Sequence, residues 1–228
     1  MAATDLGNSG AGPGMFALFD LDGTLTDPAE GIVASFAAGL VSVGLDPDDH
    51  GDLTRFIGPP LQDSYASLGL DEDRVEAAVA GYRERFAAGG MFENEVYPGI
   101  PELLGSLAEA GWTLAVATSK PEKFTHLILR RFELADHFSV VSGATMDGSR
   151  RHKYDIVMRA LAELGAMPND RSVMIGDRSV DIAAAHKARI GSIGVVYGYG
   201  APEELIGANP DALAGSPEEI GPLLGLPE

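Results

Sequence analysis

This 228-residue chain has no cysteine, one tryptophan and only four lysines, and each scarcity removes a class of chemistry. Without cysteine there is no disulfide framework, no thiolate zinc site and no thiol nucleophile. Any reactivity must come from oxygen and nitrogen. Positive charge is also scarce: 16 lysines and arginines face 34 acidic residues, a formal charge of −18. Such a field repels nucleic acid and anionic membrane surfaces, so neither is expected as a partner. No apolar run approaches the roughly 18–20 residues needed to span a bilayer. The first fourteen residues hold five glycines or prolines and no basic stretch. They read as a flexible N-terminus rather than a signal peptide, and a cytoplasmic location is expected.

What the chain does contain is a succession of short apolar runs, at 15–19, 113–117, 139–141, 172–175, 193–197 and 212–213. Continuous rather than alternating apolarity predicts strands covered on both faces, as in a parallel sheet. Helical patterns at 101–110, 122–131, 154–164 and 182–187 separate most of them. This alternation predicts an α/β fold with a Rossmann-like parallel-sheet core, which binds ligands beyond the carboxyl ends of its strands.

The stretch 28–96 interrupts the alternation. Asp27 suits an N-cap with Pro28 at the first helical position, and Ile32, Ser35, Phe36, Gly39, Leu40 and Val43 then share one helical face. Val75, Val79, Tyr82 and Phe86 mark a second helix capped by Asp71. Between them, Phe56-Ile57-Gly58-Pro59-Pro60-Leu61 must break any helix. The expected division is a core of 15–27 and 97–228, with a small all-helical domain at 28–96.

Four polar clusters sit where strands end or helices begin. The first is Asp20-Leu21-Asp22-Gly23-Thr24. Two carboxylates at i and i+2 can share a side, Gly23 permits a sharp turn, and the pair could divide nucleophilic attack from proton transfer. The same residues could also merely end a strand. The second is Thr118-Ser119-Lys120, a hydroxyl and backbone amides ahead of a helix, suited to cradling phosphate or simply to capping. The third is Lys153, opening a helix after the loop Asp147-Gly148-Ser149-Arg150-Arg151-His152. The fourth is Asp177-Arg178-Ser179-Val180-Asp181, whose two acids, with Asp20 and the carbonyl of Asp22, form an oxygen set of the kind Mg²⁺ prefers.

The order and context of these clusters resemble the haloacid-dehalogenase superfamily over residues 15–215. The resemblance implies Asp20 as nucleophile, Asp22 as acid and base, Thr118 and Lys153 as phosphate-holding groups, and Asp20, Asp22, Asp177 and Asp181 around Mg²⁺. It also implies an aspartyl-phosphate intermediate on Asp20, and makes 28–96 a helical type-1 cap. Gly23, Thr24, Ser119 and Lys120 are expected to line the substrate, joined from the cap by Arg55 and Gly58. Lys120 or Arg150 would add to a local positive pocket on an acidic protein.

The Gly-Pro-Pro loop, the Asp147–Arg150 stretch and Gly198-Tyr199-Gly200 look like the phosphoglycolate-phosphatase-like branch. The expected substrate is thus a small phosphorylated metabolite such as phosphoglycolate or a nucleotide, and the expected assembly a monomer or homodimer. The first lysine is Lys120, so the cap has none for the Schiff base of phosphonoacetaldehyde hydrolases. No histidine follows the first cluster as in the β-phosphoglucomutase-like branch, and Asp22 argues against metal-free dehalogenases. A phosphoryl-transfer mutase and a non-catalytic phosphometabolite-binding protein are the remaining alternatives.

Overall fold

The computed structural model describes residues 14–167 and 170–227. Most of the stretch 1–14 expected to be flexible lies outside the described residues. In chain order the elements are β1 (Met15–Phe19), β2 (Thr26–Asp27), α1 (Ala29–Ser42), α2 (Leu61–Ala66), α3 (Glu72–Ala88), β3 (Glu95–Val96) and α4 (Ile100–Glu109). Then come β4 (Thr113–Pro121), α5 (Glu122–Arg131), β5 (Phe138–Ala144), α6 (Lys153–Leu164), β6 (Arg171–Gly176) and α7 (Ser179–Ala188). The chain closes with β7 (Gly191–Val195), α8 (Pro202–Ala208), β8 (Ala212–Ala214) and α9 (Ile220–Leu223).

Six strands form one sheet in the order β5-β4-β1-β6-β7-β8, every pair parallel. β1 lies at its centre, and the period-2 alternation of its side chains divides the core. Phe16 and Leu18 pack with Ile156, Val157, Ala160 and Leu161 of α6 and with Ala184 and Ala185 of α7. Ala17 and Phe19 face the other way, toward Leu104 and Leu107 of α4 and Ile128 of α5. Burial on both faces is why β1 reads as an unbroken apolar run. β1 and β6 end side by side, with Phe19 opposite Ile175, and β4 flanks β1 on the other side.

The 28–96 insert departs from the all-helical expectation at its root. Thr26 pairs with Val96 and Asp27 with Glu95 in a two-stranded antiparallel ribbon, too short for any periodicity to announce. α1 begins at Ala29, with Pro28 in the cap position, and Asp27 accepts the Ala29 N–H at 3.0 Å. Within the insert Phe36 stacks between Phe56 and Tyr65, at ring separations of 4.3 and 4.2 Å. The Tyr65 hydroxyl donates to the Phe36 carbonyl at 2.9 Å. α2, only six residues long, α8 and α9 are too short for a helical pattern to mark them in the sequence. Among the described residues no helix is long and apolar enough to cross a membrane.

Candidate active site

β1 ends in a tight loop. The Gly23 amide donates to the Thr26 carbonyl at 2.8 Å, and those of Leu25 and Thr26 to the Leu21 carbonyl at 2.9 and 3.0 Å. Gly23 has φ +80°, and a β-carbon there would lie 2.3 Å from Asp177 Oδ2. Only glycine allows the turn and lets the Asp177 carboxylate approach. Thr24 is fully buried, and its carbonyl accepts the Tyr197 hydroxyl at 2.8 Å.

Strand order brings distant acids together. Asp20, at the end of β1, meets Asp177 after β6 and Asp181 in the first turn of α7, with one carboxylate oxygen from each within 4.8 Å of the others. Lys153, the first residue of α6, places its Nζ 2.9 Å from Asp20 Oδ1 and 2.7 Å from Asp181 Oδ1. Burial works against this ammonium, but Asp181 and Asp20 outweigh it and hold Lys153 above the usual lysine range. Asp177 has the opposite problem. Burial, then the neighbouring Asp20 and Asp181 charges, push its carboxyl up to about 8. One of its oxygens accepts the Tyr199 amide at 2.8 Å, whereas Oδ1 is buried with no hydrogen-bond partner among the described residues. Converging hard oxygen donors, one of them buried and unpartnered, fit a divalent cation such as Mg²⁺.

Asp22 faces elsewhere. Its Oδ2 lies 2.6 Å from Lys120 Nζ, outside the three-carboxylate group, so only its main chain is left for the metal role implied by the resemblance. Burial raises the Asp22 carboxyl, with Lys120 partly offsetting it. The Lys120 ammonium also sits 4.7 Å from the centre of the Phe86 ring, so α3 of the insert reaches this side of the site. Thr118 is buried and accepts the Lys120 amide at 3.2 Å, while Ser119 is exposed. The strand carrying them runs on to Pro121, with a register shift after Thr118.

The two expected cap residues diverge. Gly58 lies against the core, beside the Arg178 guanidinium. Arg55 is exposed, with its guanidinium 4.6 Å over the Phe56 ring, and none of its described polar contacts reaches the carboxylates. Arg150 is not a free pocket cation. It donates to the Gly143 carbonyl at 2.9 Å and to Glu122 at 3.0 Å, and Glu122 is also bound by Arg159. Sequence reading gave no site role to Arg178 or Tyr197, and took Tyr199 only as part of a branch pattern. A basic residue within Asp177–Asp181 and the Tyr-Gly-Tyr loop were visible signals, but their partners were not.

The sequence pattern described as haloacid dehalogenase-like hydrolase matches residues 17–195. The chain belongs to that family. A 5′-nucleotidase of Pseudomonas aeruginosa is 46% identical over 82% of this chain and 85% of its own length. A phosphoglycolate phosphatase of Agrobacterium fabrum is 32% identical over 80% of this chain and 81% of that protein. Tyrosine-protein kinase PtkA of Mycobacterium tuberculosis is 47% identical over 80% of this chain, which spans 62% of the kinase's length. Its solved structure superposes with a TM-score of 0.80, at 40% identity, over 95% of this chain and 100% of that one. The chain is therefore an enzyme of the family's phosphatase kind, in the branch that includes phosphoglycolate phosphatases.

Proposed function

We propose that this phosphatase hydrolyses small phosphomonoesters, of the phosphoglycolate or 5′-nucleotide kind, through a covalent phosphate on Asp20. The observation that carries the reading is the Asp20–Lys153–Asp181 cluster beside Asp177, with a second, separately held carboxylic acid at Asp22. Two carboxyl groups kept in different environments can take different roles. Asp20, at the strand end, attacks phosphorus and breaks the ester bond. Asp22, raised by burial, donates its proton to the departing oxygen and then accepts one from the water that cleaves the aspartyl phosphate. Lys153 and the Thr118 hydroxyl hold the phosphoryl oxygens, and Lys153 also keeps Asp20 oriented. Asp20, Asp177, Asp181 and the Asp22 carbonyl would hold Mg²⁺, which when bound neutralises charge on the phosphoryl group. The 28–96 insert acts as a cap, with Tyr82 and Phe86 of α3 on the Asp22 side and Gly58 on the Asp177 side.

The kinase among the relatives supports a second reading, in which a tyrosine hydroxyl replaces water as acceptor. The two differ only in what reaches the aspartyl phosphate. Phosphate release from an aryl phosphate, phosphoglycolate and 5′-nucleotides is measured with and without Mg²⁺, for wild type and Asp20→Asn. Mg²⁺-dependent release that the substitution abolishes is expected. Activity surviving in Asp20→Asn would sink the covalent route, and label transfer to a tyrosine peptide without phosphate release would favour the kinase reading.

A further inference from the structure

Arg178 lies between two members of the acid cluster in sequence, yet its side chain leaves the cluster. Its Nη1 donates to the Ile57 carbonyl at 2.9 Å, a contact between residues 121 positions apart. From another edge of the same guanidinium, Nε donates to Glu204 Oε1 on α8 at 3.1 Å. That carboxylate oxygen also accepts the Ser179 amide and hydroxyl, each at 2.8 Å. The guanidinium is thus held by the core on one edge and holds the insert with the other. A planar fork with donors in fixed directions can do both at once, whereas a lysine ammonium cannot span the two. Bonds from an ionised donor are also stronger than neutral ones.

The insert is shaped to receive it. Gly58 has φ +99°, and a β-carbon there would lie 2.7 Å from Arg178 Nη1. The Ile57 side chain is almost fully buried in the apolar core, so holding its carbonyl holds the whole 56–61 loop. On the core side, the Arg178 amide donates to Asp181 Oδ2 at 3.1 Å. The latch and the acid cluster therefore share one short backbone segment.

We propose that Arg178 is a positioning residue that latches the 56–61 loop of the insert to the core beside Asp177, setting that wall of the pocket in register with the nucleophile. The inference rests on the phosphatase reading for its kinetic consequence but not for its structural one. Weakening the latch lowers the fraction of molecules with the 56–61 loop in register and raises the apparent dissociation constant in the same proportion. Arg178→Ala is expected to raise KM for phosphomonoesters about ten-fold while kcat falls less than about three-fold. Arg178→Lys keeps the charge but lacks the fork, so it should behave like the alanine variant.

Because the chain has no cysteine, paired spin labels can be introduced without background. Gln62→Cys on α2 and Ile206→Cys on α8 both replace exposed residues. Double electron–electron resonance on the labelled chain should give one narrow distance distribution, which Arg178→Ala broadens or lengthens without added substrate. An unchanged distribution, or wild-type KM in the lysine variant, would overturn the latch. Absence of hydrolysis by wild type would instead count against the phosphatase reading, and the distance measurement would still decide the latch.

Discussion

Lys153→Met removes the one ammonium that, among the described residues, pairs with the acid cluster, while keeping much of the side-chain volume. In the folded protein this ammonium lies 2.9 Å from Asp20 and 2.7 Å from Asp181, with its side chain 4% exposed. Two carboxylate charges no more than 4.8 Å apart repel by at least about 3.5 kcal/mol at an effective dielectric constant of about 20, and the cluster holds three. Deleting one partner of a buried ion pair costs roughly 3–5 kcal/mol. For a domain of this size each kcal/mol moves Tm by about 2–4 °C, so a fall of roughly 6–20 °C is expected. The fall should depend on pH. Lys153 has a folded pKa above its unfolded value, so in wild type its contribution is fully present below the unfolded value, throughout pH 5–8. In the variant the orphaned acids bind protons more tightly folded than unfolded, so stability is retained at low pH and lost as pH rises. The gap between the two proteins should therefore be widest near pH 8 and should narrow toward pH 5. Millimolar Mg²⁺ should recover part of it by replacing the lost charge. The assay is calorimetry at pH 5, 6.5 and 8, with and without Mg²⁺, and kcat should fall about 10²–10³-fold in parallel. A Tm within about 2 °C of wild type at pH 8 would refute the claim that Lys153 neutralises this cluster.

Gly23→Ala should cost about 1–3 kcal/mol from the left-handed backbone alone and abolish activity by displacing Asp177, as read by chemical denaturation and phosphate release. Failure to lose activity would show that Asp177 tolerates displacement. Glu122→Gln tests the strut that occupies Arg150 and Arg159. Burial opposes ionisation of Glu122, but Arg159, the Gly143 amide and Arg150 lower its pKa below the usual glutamate value. Its contribution, of order 1 kcal/mol, is therefore present above the unfolded pKa and lost as pH falls through the folded one. The stability difference between Glu122→Gln and wild type should be full at pH 7 and shrink steadily as pH falls below the ordinary glutamate range in urea titrations. A difference independent of pH would assign the loss to packing instead of charge.

The cysteine-free, strongly acidic composition left oxygen and nitrogen chemistry alone, and runs such as 15–19 and 172–175 marked buried strands because apolarity and turn residues are local properties. The residue types at the candidate site were equally legible, since Asp20, Asp22 and Asp177 follow readable strands while Lys153 and Asp181 stand at the start of readable helices. Pairing was not. Lys120 and Lys153 both stood as phosphate-site cations, and only the placement of β1 between β4 and β6 assigned Lys120 to Asp22 and Lys153 to Asp20 and Asp181. Arg150 and Arg178 show the same division. One looked like a pocket cation and is bound to Glu122; the other carried no role in the sequence pattern and reaches Ile57. Likewise the Tyr199 hydroxyl bonds Asp27 at the root of the insert, a contact across 172 residues. Sequence periodicity carries information over a turn or two of chain. Which charge meets which depends on strand order and on how the insert folds back, and tertiary structure alone decides that.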